Sequence, residues 1–299
     1  MSPLDDLVAR GVVTRDVPLG PLTTYKSGGP ARFYVVCDDL ATLVGLCATG
    51  VLTSMPVLVL GRGSNLVVAD RGFPGLVIRL GSGFTTIDID GPLATAGSAV
   101  SLPLLARASV NAGRTGLEFF VGVPGSVGGA VRQNAGCFGV ETGDRLIRAS
   151  VVDLRDGTLS VRGPEDLDLA YRHSNLGPDE VVTEAVFATE EGDVETGLQE
   201  LRRITRWRRD NQPGGTFNAG SVFKNPPGTS AGELIDSLGL KGIKAGDVSV
   251  SKKHANFFVA GPEATSADIL ELVRLVKDRV FQATGTILEP EVQFVGFEE

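Results

Sequence analysis

Gly116–Gly139 reads GLEFFVGVPGSVGGAVRQNAGCFG, and the fold turns on what this stretch is for. Glycines and small residues recur too densely for an ordinary helix or strand, and glycine lets a backbone approach a ligand to contact distance. Gly122, Gly125, Gly128 and Gly129, set around Pro124 and Ser126, predict a loop whose peptide N–H groups press against a flat or phosphorylated partner. A tight turn between two strands is the plainer alternative, but one Pro-Gly pair would serve for that. So many small residues beside apolar Phe119, Phe120 and Val121 favour a cofactor cradle.

Toward the N-terminus a second glycine loop, Gly61, Arg62, Gly63, Ser64 and Asn65, follows an apolar strand over Pro56–Leu60. It invites comparison with the dinucleotide fingerprint GxGxxG and fails it. Leu66 stands where the third glycine belongs, and LVVADRGFPGLVIRL continues as strand with a turn at Arg71–Gly75, where a Rossmann unit needs a helix. The loop instead predicts a nest of N–H groups, with Ser64 and Asn65 adding side-chain donors. Thr23–Phe33, TTYKSGGPARF, repeats the theme more weakly.

The rest of the chain alternates helix and strand patterns. Asp39 caps a helix with Leu40, Leu43, Val44 and Cys47 on one face, Pro103 opens another that stops at Gly113, and Val194–Arg209 fits a third with a basic tail. Arg148–Leu154, Gly157–Val161 and Val181–Thr189 read as strands. Asn211–Gly220, NQPGGTFNAG, reads as a linker into a new domain. Beyond it Ser230 and Glu233 form a capping box, Ser266 caps a helix running through Ala283, and a last strand over Ile287–Phe297 places Glu289 and Glu291 on one face. The fold class is α+β.

Composition narrows the function. A net charge of -8 over 299 residues argues against a nucleic-acid partner. No apolar run is long enough to span a bilayer, and the acidic start MSPLDDLVAR does not read as a signal peptide, so a cytoplasmic, membrane-free protein is expected. Cys37, Cys47 and Cys137 lack CxxC spacing, and with only His173 and His254 beside them no metal is expected.

The words YKSGGPA, LGRGSNL, EFFVGVPGSVGGAVRQNAG, YRHS, NAGSVFKNP, AGELIDSLGLKG, SKKHANFFV and LEPEV run through the chain from about Thr23 to its end. In that order they resemble the UDP-N-acetylenolpyruvoylglucosamine reductase family, in its shorter class without an extra tyrosine-bearing loop. The resemblance implies a vanillyl-alcohol-oxidase-type fold in which residues 1–82 and 83–212 hold FAD and residues 213–286 bind substrate, with the strand 287–299 packing back near the first domain. It implies cofactor contacts at Gly61–Asn65, Gly122, Pro124, Gly125, Ser126, Gly128, Gly129 and Asn134. The implied reaction is NADPH-dependent reduction of an enol ether on a UDP-sugar, in which hydride reaches the vinyl carbon and charge develops on the carboxylate.

Three residues carry that chemistry by the same resemblance. Arg172 binds the carboxylate, Ser221 delivers the proton to the second carbon, and Glu291 hydrogen-bonds the developing enol, with Glu289 as its competitor. Taken singly, a loop arginine is more often a surface ion pair, such a serine a turn, and such a glutamate solvated. Inside the family's words they favour function. Lys224 and Asn225 are expected at the diphosphate or sugar, and His254 in a structural or substrate-contact role. Many relatives carry lysine where this chain has Asn211, so Arg208 or Arg209 is expected to take that phosphate contact. With no second dinucleotide motif, NADPH is expected to use the substrate pocket in turn. The rival readings are another FAD-dependent oxidase of the same fold and a non-catalytic nucleotide-sugar binding protein. Oligomeric state stays open, a monomer being the working expectation.

Overall fold

The computed structural model describes residues 3–297. The chain folds into two compact units: one holds the residues up to Asp16, Arg32–Arg62 and Gly75–Arg206, the other Val17–Ala31, Gly63–Pro74 and everything from Trp207 onward. The helices in chain order are α1 (Pro3–Ala9), α2 (Leu40–Ala48), α3 (Leu102–Asn111), α4 (Val127–Gln133), α5 (Val194–Asn211), α6 (Ala231–Ser237) and α7 (Ser266–Thr284).

The first unit is organised around a five-stranded antiparallel sheet in the order Leu159–Arg162, Leu146–Asp153, Glu180–Ala188, Leu93–Gly97, Ile87–Asp90. Glu180–Ala188 is central and buried on both faces, which is why its apolar residues fall in adjacent groups, Val181–Val182 and Ala185–Ala188, rather than in strict alternation. The edge strand Leu159–Arg162 alternates exposed and half-buried residues instead. Phe120 lies at the heart of the core, stacked on Phe119 with centroids 4.2 Å apart and edge-on to Phe187 at 5.4 Å. A second sheet, Thr14–Pro18, Pro30–Cys37, Phe73–Leu80, Val57–Val59, forms a core with α2 through Phe33, Leu43, Leu76 and Ile78. Asp39 caps α2 as expected, its carboxylate accepting from Thr42 N at 2.7 Å.

The glycine stretch departs from the loop expected of it. Glu118–Gly122 is a 3-10 turn, Val127–Gln133 is the helix α4, and Gly136–Cys137 pairs with Val140–Glu141 as a hairpin. Ser126 is the reason. It caps α4 by accepting from Gly129 N at 3.4 Å, and buried Val127, Ala130 and Val131 supply packing that outweighs the poor helix propensity of the two glycines.

In the second unit α7 buries Ile269, Leu272, Val273, Val276 and Val280, the stripe its sequence predicts. Its cap is Thr265, one residue before the expected Ser266. Thr265 Oγ1 accepts from Asp268 N, and Asp268 returns the bond to Thr265 N at 2.9 Å. Ser266 is the first helical residue, and its N–H and that of Ala267 are taken by the Asp70 carboxylate at 2.8 and 2.9 Å. The antiparallel strands Lys244–Ala245, Val248–Val250 and Phe258–Ala260 complete this core, where Phe223 meets Phe258 edge-on at 5.9 Å. The expected last strand is shorter than its pattern: only Gln293–Val295 pairs, in parallel with Leu66–Val68. Residues 298–299 of that expected strand lie outside the described residues. The basic helix α5 runs two residues beyond Arg209, so irregular chain begins at Gln212. Among the described residues no helix is long and apolar enough to cross a membrane.

Candidate active site

A cavity of about 520 Å³ opens in the first unit where the ends of several strands meet the N-terminus of α4. Gly61, Arg62, Ser126, Gly128 and Gly129 line it, together with Ser98, Arg132 and Glu180. Its volume suits a small-molecule ligand, for which sites of about 300–1,000 Å³ are usual. Its charge suits an anion. Arg62, Arg79 and Arg132 line it against the single carboxylate of Glu180, and that carboxylate is already paired with Arg162.

Arg132 is held there by main-chain carbonyls. It donates to Leu176 O, Gly177 O and Glu180 O, and burial keeps its guanidinium below the usual arginine range, partly offset by the Glu180 charge. The two α4 glycines differ in purpose. A Cβ on Gly128 would lie 2.9 Å from Ser98 Cβ, so that glycine lets two protein segments close on each other, whereas a Cβ on Gly129 would meet only Ser126 Oγ at 3.5 Å. Ser98 spends its backbone on Thr183 O and Gly128 N, and its buried hydroxyl has no partner among the described residues. An unpaired buried hydroxyl costs free energy until something bonds to it, and this one belongs to a residue that lines the cavity.

Gly63, Ser64 and Asn65 belong to the second unit. Gly63 packs on Leu22, where a Cβ would come within 2.3 Å of the carbonyl oxygen, and Asn65 donates to Glu291 O at 3.0 Å. Gly122, Pro124, Gly125 and Asn134 do not line the cavity. A Cβ on Gly122 would meet Cys137 Sγ at 2.8 Å, so its smallness too serves packing. Asn134 is buried at the end of α4, and its amide is consumed by Glu141, Ala170 and Gly143. What it serves is the turn that carries Arg172, which bonds to Glu141 and to Gly136 O.

The second unit brings Ser221 and Glu291 onto adjoining stretches of backbone. Ser221 bridges to Phe257 on one side, while Val222 O accepts from Glu291 N at 2.7 Å on the other. Buried Asn256 locks this register by exchanging two amide bonds with Phe223, at 3.0 and 2.8 Å. Glu291 is half-buried; Glu289 is exposed and lies 3.7 Å from the Lys224 ammonium. His254 stands beside this strand, its ring edge-on to Phe257 at 4.7 Å and its Nδ1 accepting from Asn256 N at 3.3 Å. Burial, and secondarily the charge of Lys241, hold it below the ordinary imidazole value. Asn225 Oδ1 accepts from Ala231 N, helping to start α6, and Arg208 donates to Gln212. Ser98, Arg132 and Glu141 were not among the residues the sequence pointed to: Ser98 and Glu141 are single polar residues outside the glycine-rich and family words, and Arg132 lies inside a stretch read as a loop, so its place in the last turn of α4 was hidden.

Comparison with known proteins places this geometry. The FAD binding domain family matches residues 31–161, the part of the chain that contributes most of the cavity lining. The C-terminal domain family of UDP-N-acetylenolpyruvoylglucosamine reductase matches residues 212–295, which include Ser221 and Glu291. The reductase of Parvibaculum lavamentivorans is 40% identical over 293 residues, covering 97% of this chain and 93% of its own, and that of Azorhizobium caulinodans is 41% identical over 287 residues, covering 96% and 92%. The crystal structure of UDP-N-acetylenolpyruvylglucosamine reductase from Thermus caldophilus superposes with a TM-score of 0.81 at 39% identity, covering 95% of this chain and 98% of that one.

The family matches and the fold define an FAD-dependent oxidoreductase, an FAD-binding domain followed by an α+β C-terminal domain. The chain belongs to the UDP-N-acetylenolpyruvoylglucosamine reductase family. The cavity fits the cofactor: arginines and the start of α4 suit a pyrophosphate, Gly129 brings bare backbone to the cavity wall, and the Ser98 hydroxyl offers a hydrogen bond unused among the described residues.

Proposed function

We propose that this enzyme reduces UDP-N-acetylglucosamine enolpyruvate to UDP-N-acetylmuramate, with NADPH as the source of electrons, in the cytoplasmic stage of peptidoglycan precursor synthesis. The observation that carries the proposal is the register that sets Ser221 and Glu291 on neighbouring backbone, fixed by the Glu291 N to Val222 O bond and by Asn256. Bound FAD supplies the hydride. Gly61, Arg62, Ser98, Ser126, Gly129 and Arg132 would hold it.

The protein's part is binding, charge stabilisation and proton delivery. Arg172 presents a planar fork to the substrate carboxylate, where negative charge grows as the double bond is reduced. Glu291, half-buried just before the last strand, is proposed to hydrogen-bond the enol; Glu289, exposed and near Lys224, is the weaker choice. Ser221 gives its hydroxyl proton to the second carbon. A serine is a poor acid in water, so this role needs a pre-set position shielded from solvent; the bridges at Ser221 and Phe223 and the partial burial of Ser221 support the first requirement, and bound substrate would complete the second. Lys224 and His254 flank the same strand as candidate contacts for the diphosphate or sugar; Asn225 and Arg208 are also proposed there, although both have structural bonds of their own. NADPH and substrate take turns at one pocket, which gives ping-pong kinetics.

The two half-reactions test the assignment. Ser221→Ala should leave flavin reduction by NADPH nearly intact and slow reoxidation by the enolpyruvyl substrate by about 10² to 10⁴, the usual worth of general acid help. Stopped-flow traces in which both halves slow equally would mean that the serine positions a domain or cofactor and is not the acid.

A further inference from the structure

The turn that presents Arg172 is built with more care than a surface loop requires. Arg172 has φ +53, a left-handed conformation that costs a non-glycine residue energy, and the turn around it is closed by mutual bonds between Ala170 and His173 at 3.2 and 3.0 Å. Its side chain is only 17% exposed, and its guanidinium donates to Glu141 Oε1 at 3.3 Å and to Gly136 O at 3.1 Å.

Those two acceptors lie side by side for a reason visible in the backbone. Gly136–Cys137 and Val140–Glu141 form an antiparallel hairpin in which Glu141 stands opposite Gly136. Both residues of its two-residue turn, Phe138 and Gly139, have positive φ, +56 and +78, as the tightest hairpin turns demand. A side chain on Gly136 would run into Val140 O at 2.3 Å, so this strand position admits only glycine. The second Glu141 oxygen accepts from Asn134 Nδ2 at 2.9 Å, and the same amide nitrogen donates to Ala170 O at 2.9 Å. Asn134 thus ties the hairpin and the arginine turn to the end of α4, while its oxygen accepts from Gly143 N at 2.8 Å.

We propose that Glu141, held by Asn134, is a positioning residue that fixes the plane of the Arg172 guanidinium for the substrate carboxylate. Fixing two of five N–H groups on a rigid planar ion fixes the direction of the others. A carboxylate suits the place because it only accepts, and both Arg172 and Asn134 donate to it; glutamine would turn an amide N–H₂ toward one of them. This inference rests on the carboxylate-binding role proposed above for Arg172.

The test is a double-mutant cycle on the two half-reactions. Glu141→Ala should keep flavin content and NADPH-driven flavin reduction within about twofold of wild type and slow reoxidation by substrate by about 10- to 100-fold, the scale of a misplaced binding group. Glu141→Gln should fall between the two and carries the test if the alanine variant does not fold. In an Arg172→Ala background both Glu141 effects should vanish, because there is no guanidinium left to orient. Reoxidation at the wild-type rate in Glu141→Gln or Glu141→Ala, with Arg172→Ala impaired, overturns the positioning role alone. Equal slowing of both half-reactions by Glu141→Gln does the same, since that marks a general structural role. Wild-type reoxidation in Arg172→Ala itself overturns both the positioning role and the assignment of Arg172.

Discussion

At the scale of single residues, the side chains beside the proposed proton donor are set by burial. His254 is the example. Its Nδ1 accepts a backbone N–H, and burial, followed by the charge of Lys241, disfavours its protonated form. A depressed folded-state value means that the unfolded chain binds more protons once pH falls below about 6.5, the ordinary imidazole value. The stabilisation is therefore complete above that pH and is lost as pH falls through the lower folded value. Thermal midpoints taken from about pH 7.5 to 5 should fall across this window, and His254→Asn should flatten that part of the curve. A wild-type midpoint that rises on acidification, or a variant with the same slope, would contradict the account. Ser221 and Glu291 were legible in the sequence because both lie inside recognisable words. Glu141 was not: its importance comes from a hairpin register and from a neighbour, Asn134, seven positions away.

Among the elements, α4 shows what the sequence conceals. Its glycines look alike on paper, and the natural reading is that all of them admit a ligand. The structure divides the work, because a Cβ on Gly128 would crowd Ser98 whereas one on Gly129 would meet only Ser126 Oγ at ordinary contact distance. Substitution should separate them. Gly128→Ala forces its Cβ to within 2.9 Å of Ser98 Cβ and should lower the midpoint of the cofactor-free protein, whereas Gly129→Ala should leave it unchanged or raise it, since alanine is favoured over glycine in a helix by about 1 kcal/mol. Gly129→Ala should nevertheless weaken FAD binding, measured by titrating the stripped protein, because its methyl enters the lined cavity. Equal stability losses in the two variants would mean that the division is wrong. The capping box of α6 and the apolar stripe of α7 were legible because they depend only on neighbours along the chain. The length of the last strand was not, since pairing depends on where Leu66–Val68 lies and alternation alone cannot report it.

For the whole molecule, the cavity proposed for the cofactor lies in one unit and the proposed proton donor in the other. Most of the FAD binding domain match and the cation-lined cavity fall in the first, Ser221 and Glu291 in the second. A family oxidase would need a base to take a hydroxyl proton, and a binding protein that had lost its chemistry would have no use for a serine and a glutamate held in fixed register. The central claim is that one chain takes electrons from NADPH and hands them to an enolpyruvyl ether. Its most direct test is the absorption spectrum of the purified protein under anaerobic conditions. The account predicts a noncovalent flavin spectrum that NADPH bleaches and that UDP-N-acetylglucosamine enolpyruvate then restores, with UDP-N-acetylmuramate formed in equal amount. A folded protein that binds no flavin, or a bleached flavin that oxygen restores but the enolpyruvyl substrate does not, would contradict it.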